Sequence, residues 1–293
     1  MRNNTRRSLV ARLSAALAAL VVVPATLAVS TSPAGAATSN KLTVTAGEYV
    51  YKVSGAPKPG NVEIEFKNPG VEYHMMGIAQ VKPKTTLKQV KTALLSDDES
   101  AGDEFLVNDK IAGTPNFLAP DQSTTTIANL PAGRYALFCF IPAPDGKPHV
   151  AHGMVKVFDV KGSKSSFKPP TDGVAEVSIT DAGITLPSGG LPAKTWVKVT
   201  NDTSVVRDLT LAEYLTADAT FETADAYFNA FFESGAPEGD PPASINGGIM
   251  AVAPNSSAYF EASLTDGGRY TLVSSNGELE DDPNELHTDF TAS

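Results

Sequence analysis

The chain has 293 residues, of which 33 are acidic and 23 basic, giving a formal net charge of −10; 42% are apolar and one is cysteine. This length suits two domains, each burying its own core. The acidic balance, with no basic patch carrying interleaved aromatics, excludes nucleic acid as an expected partner, and a lone cysteine cannot close a disulfide within its own chain.

In chain order, Arg2, Arg6, Arg7 and Arg12 precede an apolar run from Ala15 to Val29, and Ala34-Gly35-Ala36 offers a small-residue cleavage site. The pattern predicts a signal peptide over residues 1–36. Pro24 lies inside the run and no stop-transfer pattern follows, so no stable membrane insertion is expected after cleavage. Thr5-Arg6-Arg7-Ser8-Leu9 resembles a twin-arginine export signal. Cleavage would take the formal charge from −10 to −14, because the segment holds four arginines and no acids. An exported protein, secreted, periplasmic or held in the cell envelope, is expected.

Beyond the leader, short runs of Val, Ile, Thr, Phe and Tyr are bounded by Gly, Pro, Asn and Asp. Val62 to Phe66 and Val155 to Val160 alternate apolar with polar residues, and Trp196 to Thr200 is a further strand candidate. The fold class predicted is all-β, an antiparallel sandwich. Lys161 to Pro170 is polar and turn-rich and reads as a linker. The sequence repeats weakly on either side of it. Ala119-Pro120 to Ser123 and then Gly133-Arg134-Tyr135-Ala136-Leu137 are matched by Ala253-Pro254 to Ser257 and then Gly268-Arg269-Tyr270-Thr271-Leu272. Each half also has one helical insert upstream, with Leu87, Val90 and Leu94 at helical spacing in the first and Phe221, Ala224, Phe228 and Phe231 in the second. Two copies of one β fold follow: a first domain over 38–161, a linker over 162–171 and a second domain over 172–293.

The first half also carries a candidate metal site. His74 lies in Tyr73-His74-Met75-Met76-Gly77-Ile78, where alternation puts it on the face of Met76 and Ile78. Cys139 shares a strand face with Tyr135 and Leu137, and His149 and Met154 follow before the last strand begins at Val155. A thiolate, two imidazoles and a weak axial thioether suit copper, since sulfur favours the reduced ion and imidazole suits both oxidation states. Taken singly, each residue has a plainer role, as buried filler or a satisfied core histidine. Their joint order points to ligation.

His74, then Gly133-x-Tyr135-x-x-x-Cys139, then His149-x-x-x-x-Met154 with Gly153 before the methionine, resembles the cupredoxin (blue copper) family, and the last spacing is most similar to that of rusticyanin. The resemblance covers the pattern of residues 40 to 160 and implies a Greek-key β-sandwich with one copper ion in the first domain. It also implies one-electron transfer to a redox partner protein or another envelope component. With the internal repeat, it makes the chain two tandem cupredoxin-like sandwiches. An exposed imidazole edge of the loop histidine, ringed by Phe140, Ile141 and Pro142, is the expected electron port.

One departure concerns the loop, since nine residues separate Cys139 from His149 where the family usually has a handful. Asp145-Gly146 is expected to fold the excess outward in a tight turn, with Pro142 and Pro148 stiffening its base. His152 is the alternate ligand to His149, and binding by both would make the site richer in nitrogen. Aligning the second half on Gly268-Arg269-Tyr270 without gaps puts Ser274 opposite Cys139, Pro283 opposite Pro148, Asn284 opposite His149, His287 opposite His152 and Asp289 opposite Met154. Arg207 or Asp208 stands where His74 does, so the second domain is expected to bind no copper. Its acidic loop, Glu278 to Glu285, lacks the spaced pattern of a calcium loop and reads as a solvated surface.

His74, His149, His152 and His287 are the only histidines. Laccase-like oxidases need paired His-x-His motifs and copper nitrite reductases need further histidines, so the chain is not expected to be an enzyme. Two alternatives stay open: a metal-free binding or scaffold module of the envelope, and copper buffering or delivery without redox cycling.

Overall fold

The computed structural model describes residues 39–98, 100–234, 237, 239–276 and 285–293. The expected signal peptide and nearly all of the acidic loop, with Pro283 and Asn284, lie outside the described residues. In chain order the first half contains β1 (Lys41–Gly47), β2 (Val50–Ser54), β3 (Gly60–Asn68), β4 (Gly77–Val81), α1 (Leu87–Leu94), β5 (Leu106–Asn108), β6 (Thr114–Pro115), β7 (Gln122–Leu130), β8 (Gly133–Phe138), α2 (His149–His152) and β9 (Val155–Val160). The second half contains β10 (Val174–Thr180), β11 (Gly183–Thr185), β12 (Lys194–Asn201), β13 (Arg207–Tyr214), α3 (Phe221–Ser234), β14 (Ala243–Val252), β15 (Ser256–Ser263), β16 (Arg269–Ser275) and β17 (Leu286–Thr291).

The strands follow from side-chain alternation. In β3 every second residue is buried, placing Val62, Ile64 and Phe66 inward and Glu63 and Glu65 outward, as a half-buried strand requires. Thr86 starts α1 with a capping box, accepting from the Gln89 N–H while the Gln89 side chain accepts from the Thr86 N–H, so two of the orphan donors at the helix start are satisfied.

In each half two sheets face one another. β2-β1-β3-β7 covers β5-β4-β8-β9, and β11-β10-β12-β15 covers β17-β16-β13-β14. The connectivity is the same in both, with β1 parallel to β3 and β10 parallel to β12 and the remaining pairings antiparallel. This is the cupredoxin-like sandwich, built twice, each copy with its helical insert. The halves share sheets: β7 pairs with β15 through Thr125–Ile127 and Tyr259–Glu261, making one eight-stranded sheet, and β6 adds to the edge of β14. The segment between β9 and β10 is pinned to the first half, with the Ser165 N–H donating to the Pro59 carbonyl at 2.7 Å and Asn61 Nδ2 to the Phe167 carbonyl at 3.3 Å.

The repeat is visible in detail. Tyr135 stacks on Phe158 with ring centroids 5.4 Å apart, and Tyr270 on Phe290 at 5.6 Å. Asn68 and Asn201, both buried, end β3 and β12 and clamp the loops that follow. Gly77 pairs with Phe138 and Thr210 with Val273, which sets Arg207 in the place of His74 and Ser274 in that of Cys139. The gapless alignment fails beyond this point. Phe138 pairs with Val155 whereas Val273 pairs with His287, so the counterpart of His287 is Val155 rather than His152, that of Asp289 is Val157 rather than Met154, and that of Met154 is Leu286. The second copy's last hairpin is three residues shorter, because no excursion between sulfur and histidine has to be accommodated.

Candidate metal centre

The site lies at one end of the first sandwich, where three segments meet. His74 precedes β4 and forms an isolated bridge with Leu118, each donating its backbone N–H to the other's carbonyl, at 3.0 and 2.9 Å. Asn68 secures that bridge. Its Nδ2 donates to the carbonyls of Glu72, Leu118 and Ala119 at 2.8, 3.0 and 3.0 Å, and its Oδ1 accepts from the Gly70 N–H at 3.0 Å. Gly70 leaves little room beside the site, since a Cβ there would lie 3.2 Å from His74 Nε2 and would displace the Glu48 carboxylate, 2.5 Å away.

Cys139 directly follows β8. Tyr135 and Leu137 share its core cluster, whereas Ala136 and Phe138 pack in a separate one on the opposite face of the sheet. The loop after it folds outward as the sequence implies: Pro142 and Pro148 form a bridge at its base, and the Gly146 N–H closes the turn on the Ala143 carbonyl at 2.8 Å. Pro148 then starts α2, a single turn that brings His149 back to the sulfur, with the Val150 N–H donating to the Cys139 carbonyl at 2.9 Å. Gly153 ends this turn at φ 113°, a left-handed conformation that favours glycine. It returns the chain so that the Met154 carbonyl accepts from the Cys139 N–H at 3.3 Å.

Three donors converge. His74 Nδ1 lies 3.1 Å from His149 Nδ1, His149 Nδ1 lies 3.4 Å from Cys139 Sγ, and all three residues are fully buried. Ligands held roughly 2.0–2.3 Å from one first-row metal ion would stand at such separations. His74, Cys139 and His149 form the one cluster of this kind among the described residues. Met154 is fully buried in the core cluster that also holds Cys139. His152 is not part of the site: its Nε2 meets Asp145 Oδ1 at 3.0 Å at the surface, and its ring lies against Tyr49.

Outer contacts orient the imidazoles. His149 Nε2 lies 2.8 Å from Glu72 Oε2, and the Tyr49 hydroxyl donates to Glu72 Oε1 at 2.9 Å. A carboxylate only accepts, so His149 carries its proton on Nε2 and turns the Nδ1 lone pair towards the sulfur and His74. Burial, reinforced by the neighbouring His149, depresses the His74 pKa to about 4, and burial also lowers that of His149 against the pull of Glu72. Burial pushes the Cys139 thiol up to about 12, opposed by the Met75 N–H, which points at the sulfur from 3.5 Å. In the metal-free pocket both imidazoles are therefore neutral and the thiol keeps its proton, which metal binding must release.

The exposed imidazole edge expected as an electron port is absent. His149 is fully buried because Glu72 covers its Nε2 and the Tyr49 ring packs edge-on with centroids 5.0 Å apart. Of the expected surrounding residues, Ile141 is itself buried. No motif pointed to Glu72, which lies far along the chain from His149. Tyr49 lies with Glu48 in the two-residue hairpin loop that the register Gly47↔Val50 leaves, a placement set by strand pairing and not by a motif.

No protein-family model and no curated protein matches the chain. Solved structures similar to the chain include an auracyanin, a multicopper oxidase and a Cu-containing nitrite reductase. Reduced auracyanin from the photosynthetic bacterium Roseiflexus castenholzii is 26% identical over 42% of this chain and 98% of its own, with a TM-score of 0.29. A multicopper oxidase is 14% identical over 86% and 88%, with a TM-score of 0.23. The Cu-containing nitrite reductase from Thermus scotoductus SA-01 is 12% identical over 86% and 61%, with a TM-score of 0.21. The cupredoxin-like fold rests on the sheet order and pairing of each half, and the His-Cys-His donor set supports copper binding. The expectation of a non-enzyme, drawn from the count of histidines, is overturned by the oxidase and the reductase, since enzymes stand among the similar structures.

Proposed function

We propose that the first sandwich would bind one copper ion through His74, Cys139 and His149, with the Met154 thioether as a weaker fourth ligand, and that the chain is an exported one-electron carrier. The observation that carries this reading is the convergence of two Nδ1 atoms and one sulfur in a closed, fully buried pocket. Copper would supply the one-electron couple. The protein's part is to hold two nitrogens and a sulfur in a rigid arrangement that suits both oxidation states. Three hydrogen-bonded supports provide that rigidity: the His74–Leu118 bridge, the Asn68 clamp and the proline-braced loop. In Ser274 and Arg207 the second sandwich offers neither thiolate nor imidazole, and its part would be structural.

Voltammetry of the copper-loaded chain tests the proposal. A reversible one-electron wave is expected, and bound copper that gives no such wave would rule out the carrier role. The covered edge of His149 favours one second reading, copper buffering or delivery without redox cycling. In that case the reduced ion binds tightly and no wave appears. The predicted leader supports export, and among the described residues no helix is long and apolar enough to cross a membrane. A redox partner protein or an envelope component would be the exchange partner.

A further inference from the structure

We infer that Glu72, held by Tyr49, is a positioning residue that covers the outer edge of His149 and sets the metal's preference between its two oxidation states. This rests on the copper reading. The geometry is that of a carboxylate–histidine–metal chain, with one Glu72 oxygen 2.8 Å from His149 Nε2, its other oxygen accepting from the Tyr49 hydroxyl at 2.9 Å, and His149 Nδ1 turned inward. Such outer carboxylates fix the ring's tautomer and raise its basicity as a ligand.

Three backbone features show that the arrangement is built. Tyr49 occupies the left-handed region at φ 59°, uncommon for an aromatic residue and costly unless its surroundings hold it there. That conformation aims its ring at both His149 and His152, with centroids 5.0 and 4.7 Å away. The Glu72 carbonyl is tied to Asn68 Nδ2 at 2.8 Å, so the carboxylate projects from a fixed backbone. Glu48, the other residue of the same hairpin loop, is bound to the Val71 N–H at 2.6 Å, which joins the hairpin to the Glu72 loop.

The electrical consequence follows from sign. Reduction adds one electron to the metal and lowers its charge by one, so a fixed negative group beside a ligand stabilises the oxidised ion more than the reduced one. In a buried site that preference is screened little. Removing the charge while keeping the shape should favour reduction.

The test uses the copper-loaded full chain, with its electron supplied by an electrode, and compares it with Glu72→Gln and Tyr49→Phe. Glu72→Gln is expected to move the oxidised-to-reduced ratio at fixed potential at least tenfold towards the reduced form, a rise of about 59 mV for one electron. Tyr49→Phe should move it in the same direction by less. Nitrogen NMR of the metal-free chain supplies a readout without copper: His149 should be protonated at Nε2, with that proton protected from exchange in the parent and released in Tyr49→Phe. The inference is overturned if Glu72→Gln binds copper and keeps the parent midpoint within twofold in that ratio, or, should Glu72→Gln not fold, if Tyr49→Phe leaves both midpoint and exchange unchanged. Failure of the parent chain to take up copper would sink the copper reading and this inference together.

Discussion

Replacing Asn68 by alanine tests how the fold supports the site. The Asn68 side chain is buried, its NH₂ meets three carbonyls and its oxygen accepts from the Gly70 N–H. Two amide hydrogens serve three acceptors, so the loss amounts to two donated bonds and one accepted bond. At about 1–1.5 kcal/mol each, and with their partners left buried and unsatisfied, the cost comes to roughly 3–4 kcal/mol. Because two of those carbonyls belong to Glu72 and Leu118, the loop carrying His74 should loosen and copper affinity should fall. Asn201 is the internal control. It makes the same clamp in the second sandwich, donating to Val205 and Val252 at 2.7 and 2.8 Å, and Asn201→Ala should cost comparable stability while leaving the copper spectrum unchanged. Urea unfolding of both metal-free variants and a copper titration of each make the comparison. A cost below about 1 kcal/mol for Asn68→Ala, or equal effects of the two variants on copper binding, would refute the reasoning.

Other predictions concern the same pocket. With its thiol fully buried and its pKa pushed up to about 12, Cys139 in the folded metal-free chain should resist a thiol-reactive disulfide and react at once in denaturant, as monitored by reagent absorbance. The His74 pKa, about 4 in the folded metal-free state against an ordinary 6.5, means that the unfolded chain takes the proton first as pH falls. Stability from this group is therefore complete above about pH 6.5 and lost on descent to about 4, by about 3 kcal/mol; urea unfolding across that range should show a flatter profile for His74→Gln. Phe231 of α3 meets the Tyr73 ring at 5.3 Å, next to His74. Phe231→Ala should cost about 2 kcal/mol and speed copper release to a chelator, and an unchanged release rate would deny the second sandwich its supporting part.

Much of this architecture was legible in the sequence because it rests on local periodicity. Alternation marked the strands around Val62 to Phe66 and Val155 to Val160, and the doubled Gly-Arg-Tyr marked the repeat. The order His74, Cys139, His149 was legible as well, and the Asp145-Gly146 turn explained how a long loop could bring its histidine home. Contacts between distant segments left no periodic trace. Glu72 reaches His149 from another loop, α3 lends its aromatic residues to the other sandwich, and β6 crosses to the edge of β14. The gapless alignment past Ser274 failed for a related reason, since a register is set by strand pairing and a shortened hairpin shifts it without altering either flanking motif.

The most direct test is X-ray absorption at the copper edge of the loaded chain, paired with its visible spectrum and with those of Cys139→Ser. One copper per chain is expected, bound by one sulfur at short distance and two imidazole nitrogens, with an intense sulfur-to-copper band that Cys139→Ser abolishes. Copper bound by oxygen and nitrogen alone, or a band that persists in the serine variant, would contradict this coordination.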